Sequence, residues 1–141
     1  NLVLIFTGIN RTANEIAGQY VSNLKNKEYE MKEISSQVKE GERLLLKNKF
    51  NDFGRLLHEG WKLKKSLGKV ITNQKIDDLY EFSLKHGALG GKILGAGGGG
   101  FMLLYLPKNK IINFKKKLKN TTIIPFNFSE TGSEILLNTE K

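Results

Sequence analysis

The residues best suited to chemistry in this chain carry no side chain at all. From Gly87 the sequence reads Gly87-Ala88-Leu89-Gly90-Gly91-Lys92-Ile93-Leu94-Gly95-Ala96-Gly97-Gly98-Gly99-Gly100, closing on four consecutive glycines. A glycine loses more backbone freedom on folding than any other residue, so packing alone does not ask for four in a row. The usual reasons are backbone held at positive φ, or another backbone or a ligand approaching where no Cβ fits. Successive amides exposed in this way also form concave nests for anions. Main-chain recognition of an anion is therefore one reading of the segment, and a tight turn that meets no ligand is the other.

Two familiar phosphate loops are excluded by context. Gly95 to Gly100 fits G-x-G-x-x-G letter for letter, but the dinucleotide fingerprint needs a strand before it, a helix after it and an acid about 20 residues on. Here a strand follows, and the region around Asn120 offers no acid. Gly87 to Lys92 is one residue too short for a Walker loop, and Ile93 stands where Ser or Thr must hold magnesium.

The elements that must position this segment follow from periodicity. Leu2 to Phe6 is a continuous apolar run that predicts a strand ending at Thr7-Gly8. Asn10 or Thr12 can cap the helix that follows, with Thr12 and Glu15 at capping-box spacing. Its apolar side is Ala13, Ile16, Ala17, Tyr20, Val21 and Leu24. Met31, Ile34, Val38 and Leu45 write a second helix, broken at Asn48-Lys49. Phe50, Phe53, Leu56, Leu57, Trp61 and Leu67 write a third, with a broad apolar stripe. A fourth carries Ile76, Leu79, Tyr80 and Leu84 and stops at His86-Gly87, where glycine suits a helix C-terminus. A strand over 101–106 ends at Pro107, and a basic helix over 108–119 turns Ile111, Phe114 and Leu118 inward. Two closing strands are expected, Thr121 to Phe128 and Glu134 to Leu137, joined across Thr131-Gly132-Ser133. This order predicts one α+β domain over 1–141, a mostly antiparallel sheet with helices packed on one face, not a doubly wound sheet.

Composition narrows the classes further. The 141 residues suffice for one core, and no cysteine is present for a disulfide or thiolate metal site. That suits a reducing cytoplasm, the expected location. No apolar run approaches the roughly 18 residues of a membrane span, and no signal peptide opens the chain. Lys and Arg number 23 against 14 Asp and Glu, a net charge of +9 that suits nucleic acid, an anionic membrane or a phosphorylated metabolite equally. The chain enters its first strand directly from Asn1, so further protein is expected ahead of this domain.

Lys92-Ile93-Leu94-Gly95-Ala96-Gly97-Gly98-Gly99-Gly100-Phe101 resembles the third signature motif of the GHMP kinases, the superfamily of galactokinase, homoserine kinase, mevalonate kinase and phosphomevalonate kinase. Other segments resemble its heptose 7-phosphate kinase branch. Thr7-Gly8-Ile9-Asn10-Arg11-Thr12-Ala13 is similar to the branch's Thr-Gly-x-Ser-Arg-x-Ala, with Asn10 in place of serine. Leu57-His58-Glu59-Gly60-Trp61-Lys62-Leu63-Lys64-Lys65-Ser66-Leu67 is similar to its Leu-His-x-x-Trp-x-x-Lys-Lys-x-Leu helix. Ile76-Asp77-Asp78-Leu79-Tyr80 and Gly87 to Lys92 complete a likeness that covers nearly the whole chain.

The resemblance implies a ferredoxin-like C-terminal domain and transfer of the ATP γ-phosphate to a sugar, the anomeric hydroxyl of a heptose 7-phosphate. It implies that ATP and Mg2+ are bound mainly by an N-terminal kinase domain in cis, absent from this chain. That domain holds the phosphate-cradling loop and the base, so no catalytic residue is expected here and the fragment alone is expected to be inactive. Gly95, Ala96, Gly97, Gly98, Gly99 and Gly100 would press against the nucleotide loop and sugar; a β-carbon at Gly97 or Gly98 is expected to cut activity while leaving the domain folded.

Arg11, just after a strand-to-helix turn, suits a substrate phosphate beside helix-start amides, or is a plain surface arginine. Lys64 and Lys65 either grip a sugar phosphate or lay their stems along Trp61. Lys92 faces phosphate or merely flanks the strand. His58 and His86 lack the carboxylate spacing of a metal centre, so no metal site is expected in this chain. Lys115, Lys116, Lys117 and Lys119 read as a solvated helix face. No nucleic-acid or membrane partner is expected. An RNA-binding module is the rival, with Phe101 and Tyr105 on one strand face, but no Lys or Arg lies within that strand. A non-catalytic partner domain is another. Asn10 leaves a fucose-type sugar open.

Overall fold

The computed structural model describes residues 1–21, 24–119, 121–129 and 132. The expected strand Glu134 to Leu137 and, apart from Gly132, its joint at 131–133 lie outside the described residues, as do the side chains of Glu15 and Tyr20. The elements are β1 (Leu2–Phe6), α1 (Ala13–Val21), a 3-10 turn (Leu24–Lys27), α2 (Glu28–Leu46), α3 (Phe50–Ser66), a 3-10 turn (Lys69–Ile71), α4 (Gln74–Lys85), β2 (Gly90–Ile93), β3 (Phe101–Tyr105), α5 (Lys108–Lys117) and β4 (Thr122–Ile124). The described strands form a four-stranded antiparallel sheet in the order β2-β3-β1-β4. The α+β expectation holds.

Local chemistry sets the helix ends. Asn48 takes φ 55°, a left-handed conformation that asparagine tolerates better than most residues, and it separates α2 from α3. Asn73 caps α4 by accepting from the Ile76 amide at 3.1 Å. Gly87, at φ 102°, ends that helix; its amide donates to the Leu84 carbonyl and the Ala88 amide to the Ser83 carbonyl.

Strand alternation then divides the sheet. Val3 pairs with Leu104 and Ile5 with Met102, and these residues, with Ile93, are buried in the core. Trp61 from α3, Ile76 and Tyr80 from α4, and Phe114 from α5 belong to the same core. Sealing a side chain such as Phe114, 1 % exposed, contributes about 2 kcal/mol. On the opposite face Leu2, Leu4, Phe6 and Leu103 stay half-buried and Phe101 is exposed, with Lys92 paired across from Leu103.

Two expectations change. Strand β2 lies inside the glycine segment, where no strand was expected. Its first residue must be glycine because α3 crosses it: a Cβ on Gly90 would stand 2.1 Å from the Gly54 carbonyl oxygen. Second, β4 stops at Ile124 rather than Phe128, since Pro125 has no N–H for the ladder. The apolar stripe of α2 is only partly covered: Ile34 packs against the core, whereas Val38 is 70 % exposed. The lysines at 115–117 and 119 are exposed, as expected of a solvated face.

Candidate functional site

The glycine segment leaves β2, turns at Leu94–Ala96 and enters β3 through Gly97–Gly100. The Leu94 amide donates to the Phe101 carbonyl at 2.8 Å and closes the loop. Gly95, Gly97, Gly98 and Gly100 all hold positive φ, at 74°, 112°, 72° and 77°. Such angles disfavour any side chain, which accounts for glycine at these four positions.

The segment divides into two limbs. Gly97, Gly98 and Gly99 are buried against other parts of the chain. A Cβ on Gly97 would meet the Ile71 carbonyl oxygen at 2.7 Å, one on Gly98 the Ile16 side chain at 2.7 Å, and one on Gly99 the Ile9 carbonyl oxygen at 2.6 Å. A β-carbon at either position therefore strains the fold as well as the site: at Gly97 it presses on the Ile71 backbone, and at Gly98 it meets the movable end of Ile16 under an unfavourable φ. Leu94 and Gly95 form the outward limb and are exposed, and nothing lies within 4 Å of a Cβ on Gly95.

Hydrogen bonds fix the inner limb to three elements. The Gly98 amide donates to the Ile71 carbonyl at 2.8 Å, and Asn73 Nδ2 donates to the Gly98 carbonyl at 3.1 Å. The Gly100 amide donates to the Ile9 carbonyl at 2.8 Å. The Thr7 amide and hydroxyl both donate to the Gly100 carbonyl at 2.9 Å. The turn after β1 and the glycine segment thus form one stitched surface. Along it the amides of Ala96, Gly97 and Gly99 have no acceptor among the described residues.

Arg11 stands two residues beyond Ile9, exposed and with no ion pair or hydrogen bond to a described residue. Lys75, on the first turn of α4, brings its Nζ to 3.1 Å from a Cβ position on Gly8, beside the same turn. Nothing in the sequence marked Lys75; only the packing of α4 against the β1 turn places it there.

The three remaining lysines separate. Lys64 Nζ donates to the Ile93 carbonyl at 3.2 Å and also to the Gly95 carbonyl, pinning the outward limb. Burial first, and the positive charge of Lys92 second, hold its pKa down to about 8. Lys92 lies half-buried beside it. Lys65 instead forms an ion pair with Asp77 at 3.0 Å, shares that carboxylate with the Thr72 hydroxyl, and lies 6.0 Å over the Trp61 ring. Its charge is absorbed by the fold.

The histidines serve packing. His58 Nδ1 lies 2.8 Å from the Tyr80 hydroxyl with the rings stacked, and burial lowers the His58 pKa and raises that of Tyr80. His86 Nδ1 meets the Phe82 carbonyl at 2.7 Å. Among the described residues no three His, Asp or Glu gather as metal ligands. Among the described residues this surface offers cations and amides, groups that can hold and orient an anion.

This fold and this glycine surface belong to a known class. The family model "GHMP kinases C terminal" matches residues 42–123, and the chain belongs to that family. It is 28 % identical over 137 residues to the D-glycero-alpha-D-manno-heptose 7-phosphate kinase of Campylobacter jejuni, covering 92 % of this chain and 40 % of that protein. It is 30 % identical over 107 residues to a bifunctional fucokinase/GDP-fucose pyrophosphorylase of Arabidopsis thaliana, covering 73 % of this chain and 10 % of the relative. Among solved structures, the mevalonate kinase of Methanococcus jannaschii superposes with a TM-score of 0.72 at 27 % identity, over 87 % of this chain and 38 % of that one. A putative sugar kinase of Campylobacter jejuni gives 0.55 at 28 %, over 93 % and 37 %. The chain thus spans two-fifths or less of each of these relatives.

Proposed function

We propose that this domain is the substrate-side part of an ATP-dependent sugar kinase whose nucleotide half is a separate N-terminal domain in cis. The observation that carries the reading is the stitched surface of Thr7–Ile9 and Gly98–Gly100, with Arg11 exposed at its border. Phosphoryl transfer depends mainly on positioning and on neutralising charge, and this surface supplies both. Arg11 and Lys75 hold the phosphate of a sugar phosphate, and the Ala96 amide, half-buried and without an acceptor among the described residues, faces the charge that spreads over the transferred group. The stitched inner limb beside it keeps that amide in place while the sugar is bound, so little reorganisation is needed at the moment of transfer.

ATP supplies the phosphoryl group and Mg2+ offsets its charge when both are bound. We assign the ligands of that ion to the N-terminal domain, as the family resemblance implies. The substrate we favour is a heptose 7-phosphate, phosphorylated at its anomeric hydroxyl in the cytoplasm. The likeness to a fucokinase supports a free-sugar alternative, which would leave Arg11 without a phosphate to bind.

The test is ADP release by the full-length protein offered heptose 7-phosphate, free heptose, fucose and galactose. Turnover on the sugar phosphate at least about ten-fold above the free sugars is expected, one charge-assisted contact in free-energy terms. A folded, ATP-binding enzyme that phosphorylates none of the four would sink the reading.

A further inference from the structure

The apolar stripe of α2 is the largest feature that the kinase reading leaves unused. Val38 is 70 % exposed, and Met31 and Leu45 are 41 % and 44 % exposed. With Ile34 they form one wall of a groove of about 880 Å³, faced by Leu56 and Leu57 of α3. Continuous exposed apolar surface of this kind marks a binding site more often than a plain exterior. From Phe53 to Lys64 the α3 wall rises about 16 Å at 1.5 Å per residue, roughly the reach of a dodecyl chain.

The ends of the groove differ, and that difference selects the occupant. Glu42 lines one end, beside Gly41, which packs against Phe53 and Leu56. Lys64 and Lys92 line the other. Neither lysine forms an ion pair with a described carboxylate; the pairs of α3 run instead from Arg55 to Asp52, Lys62 to Glu59 and Lys65 to Asp77. Both lysines line the same end of the groove and are half-buried there, where like charges are poorly screened, and an anion between them would relieve that crowding of charge. A second copy of the chain laid on the apolar wall would cover the methyl groups and leave that repulsion in place.

We infer that the groove binds a single-chain amphipathic anion, its apolar tail along Ile34, Val38 and Leu45 and its phosphate or carboxylate head between Lys64 and Lys92. It uses a different surface from the one on which the kinase reading rests. It reaches the outward limb of the glycine segment through Lys64 Nζ, which also holds the Ile93 and Gly95 carbonyls. A head group there competes for the same ammonium hydrogens and loosens the outward limb.

The experiment is a methyl and amide NMR titration of the chain with monomeric dodecyl phosphate, compared with dodecanol and with inorganic phosphate. Saturable shifts of the Ile34, Val38 and Leu45 methyls and of the Gly95 amide are expected with dodecyl phosphate. Binding should weaken about ten-fold for dodecanol, and by a similar factor for Lys92→Met, the loss of one charge-assisted contact. Val38→Asp, a change at an exposed position that the fold tolerates, should abolish the methyl shifts. The inference is overturned if dodecanol binds as tightly as dodecyl phosphate, or if Lys92→Met has no effect. It is equally overturned if the groove methyls respond only to phospholipid vesicles, or are already covered in a dimer that Val38→Asp dissociates.

Discussion

Lys64 and Gly95, 31 positions apart, are joined by a hydrogen bond from the lysine ammonium to the glycine carbonyl, and the same ammonium reaches the Ile93 carbonyl at 3.2 Å. One side chain of α3 therefore bridges the end of β2 and the start of the glycine turn. Lys64→Met should leave global stability within about 1 kcal/mol, because it removes a desolvated charge together with its bonds. Hydrogen exchange at the Leu94 amide, which closes the same turn onto Phe101, should accelerate. Unchanged Leu94 protection would show that the bridge does not hold the turn.

The charge on Lys64 has its own signature. Its folded pKa of about 8 lies below the ordinary lysine value of 10.5. Between those values the unfolded chain binds more protons at this site, so its contribution makes the fold more stable as pH rises through that window; below about 8 the penalty is fully present. A carbon-13 titration of the Lys64 side chain should show a midpoint near 8. Lys92→Met should raise that midpoint without restoring the ordinary value, since burial is the larger cause.

The two limbs of the glycine segment should respond differently to the same substitution. At Gly97, alanine meets both a positive φ and the Ile71 carbonyl at 2.7 Å. It should cost about 3 kcal/mol or more in a urea unfolding curve. At Gly95 the φ is also positive but the surrounding space is open, so alanine there should cost only about 1 kcal/mol. Equal midpoints for the two variants would contradict the burial of the inner limb.

These contrasts show where sequence could and could not be read. The breaks at Asn48 and Gly87 and the cap at Asn73 are legible because a residue's own conformational preferences set them. Strand β2 is not, because Gly90 answers to a helix that crosses it from 36 positions earlier in the chain, at Gly54. The bareness of Gly97–Gly99 announces a close approach, yet Ile9, Ile16 and Ile71, which make it, come from three other segments. Lys64 and Lys65 look alike in sequence. About 100° of helical rotation sends one to the glycine turn and the other to Asp77.

Asn73 holds two partners at once, the Ile76 amide through Oδ1 and the Gly98 carbonyl through Nδ2. Asn73→Asp keeps the helix cap and loses the donor to Gly98, whereas Asn73→Ala loses both. Destabilisations of about 1 and about 2 kcal/mol should follow, in that order, by denaturant titration. An aspartate variant as unstable as the alanine one would mean that the tether to Gly98, not the cap, carries the effect.

Arg11 separates the sugar-phosphate reading from its free-sugar alternative. It is exposed and has no partner among the described residues, so Arg11→Ala should leave the unfolding midpoint of this chain within about 0.5 kcal/mol of the parent. In the full-length kinase the same change should raise KM for heptose 7-phosphate about ten- to hundred-fold, as expected when a charge-assisted contact to a bound phosphate is lost. The kcat should change less, because such a contact is made in the ground state as well as in the transition state. KM for the unphosphorylated sugar should not move, since it brings no anion to that position. A fall in kcat of equal size for both sugars would instead place Arg11 against the phosphoryl group in flight, and the assignment of this arginine to the substrate's own phosphate would be withdrawn.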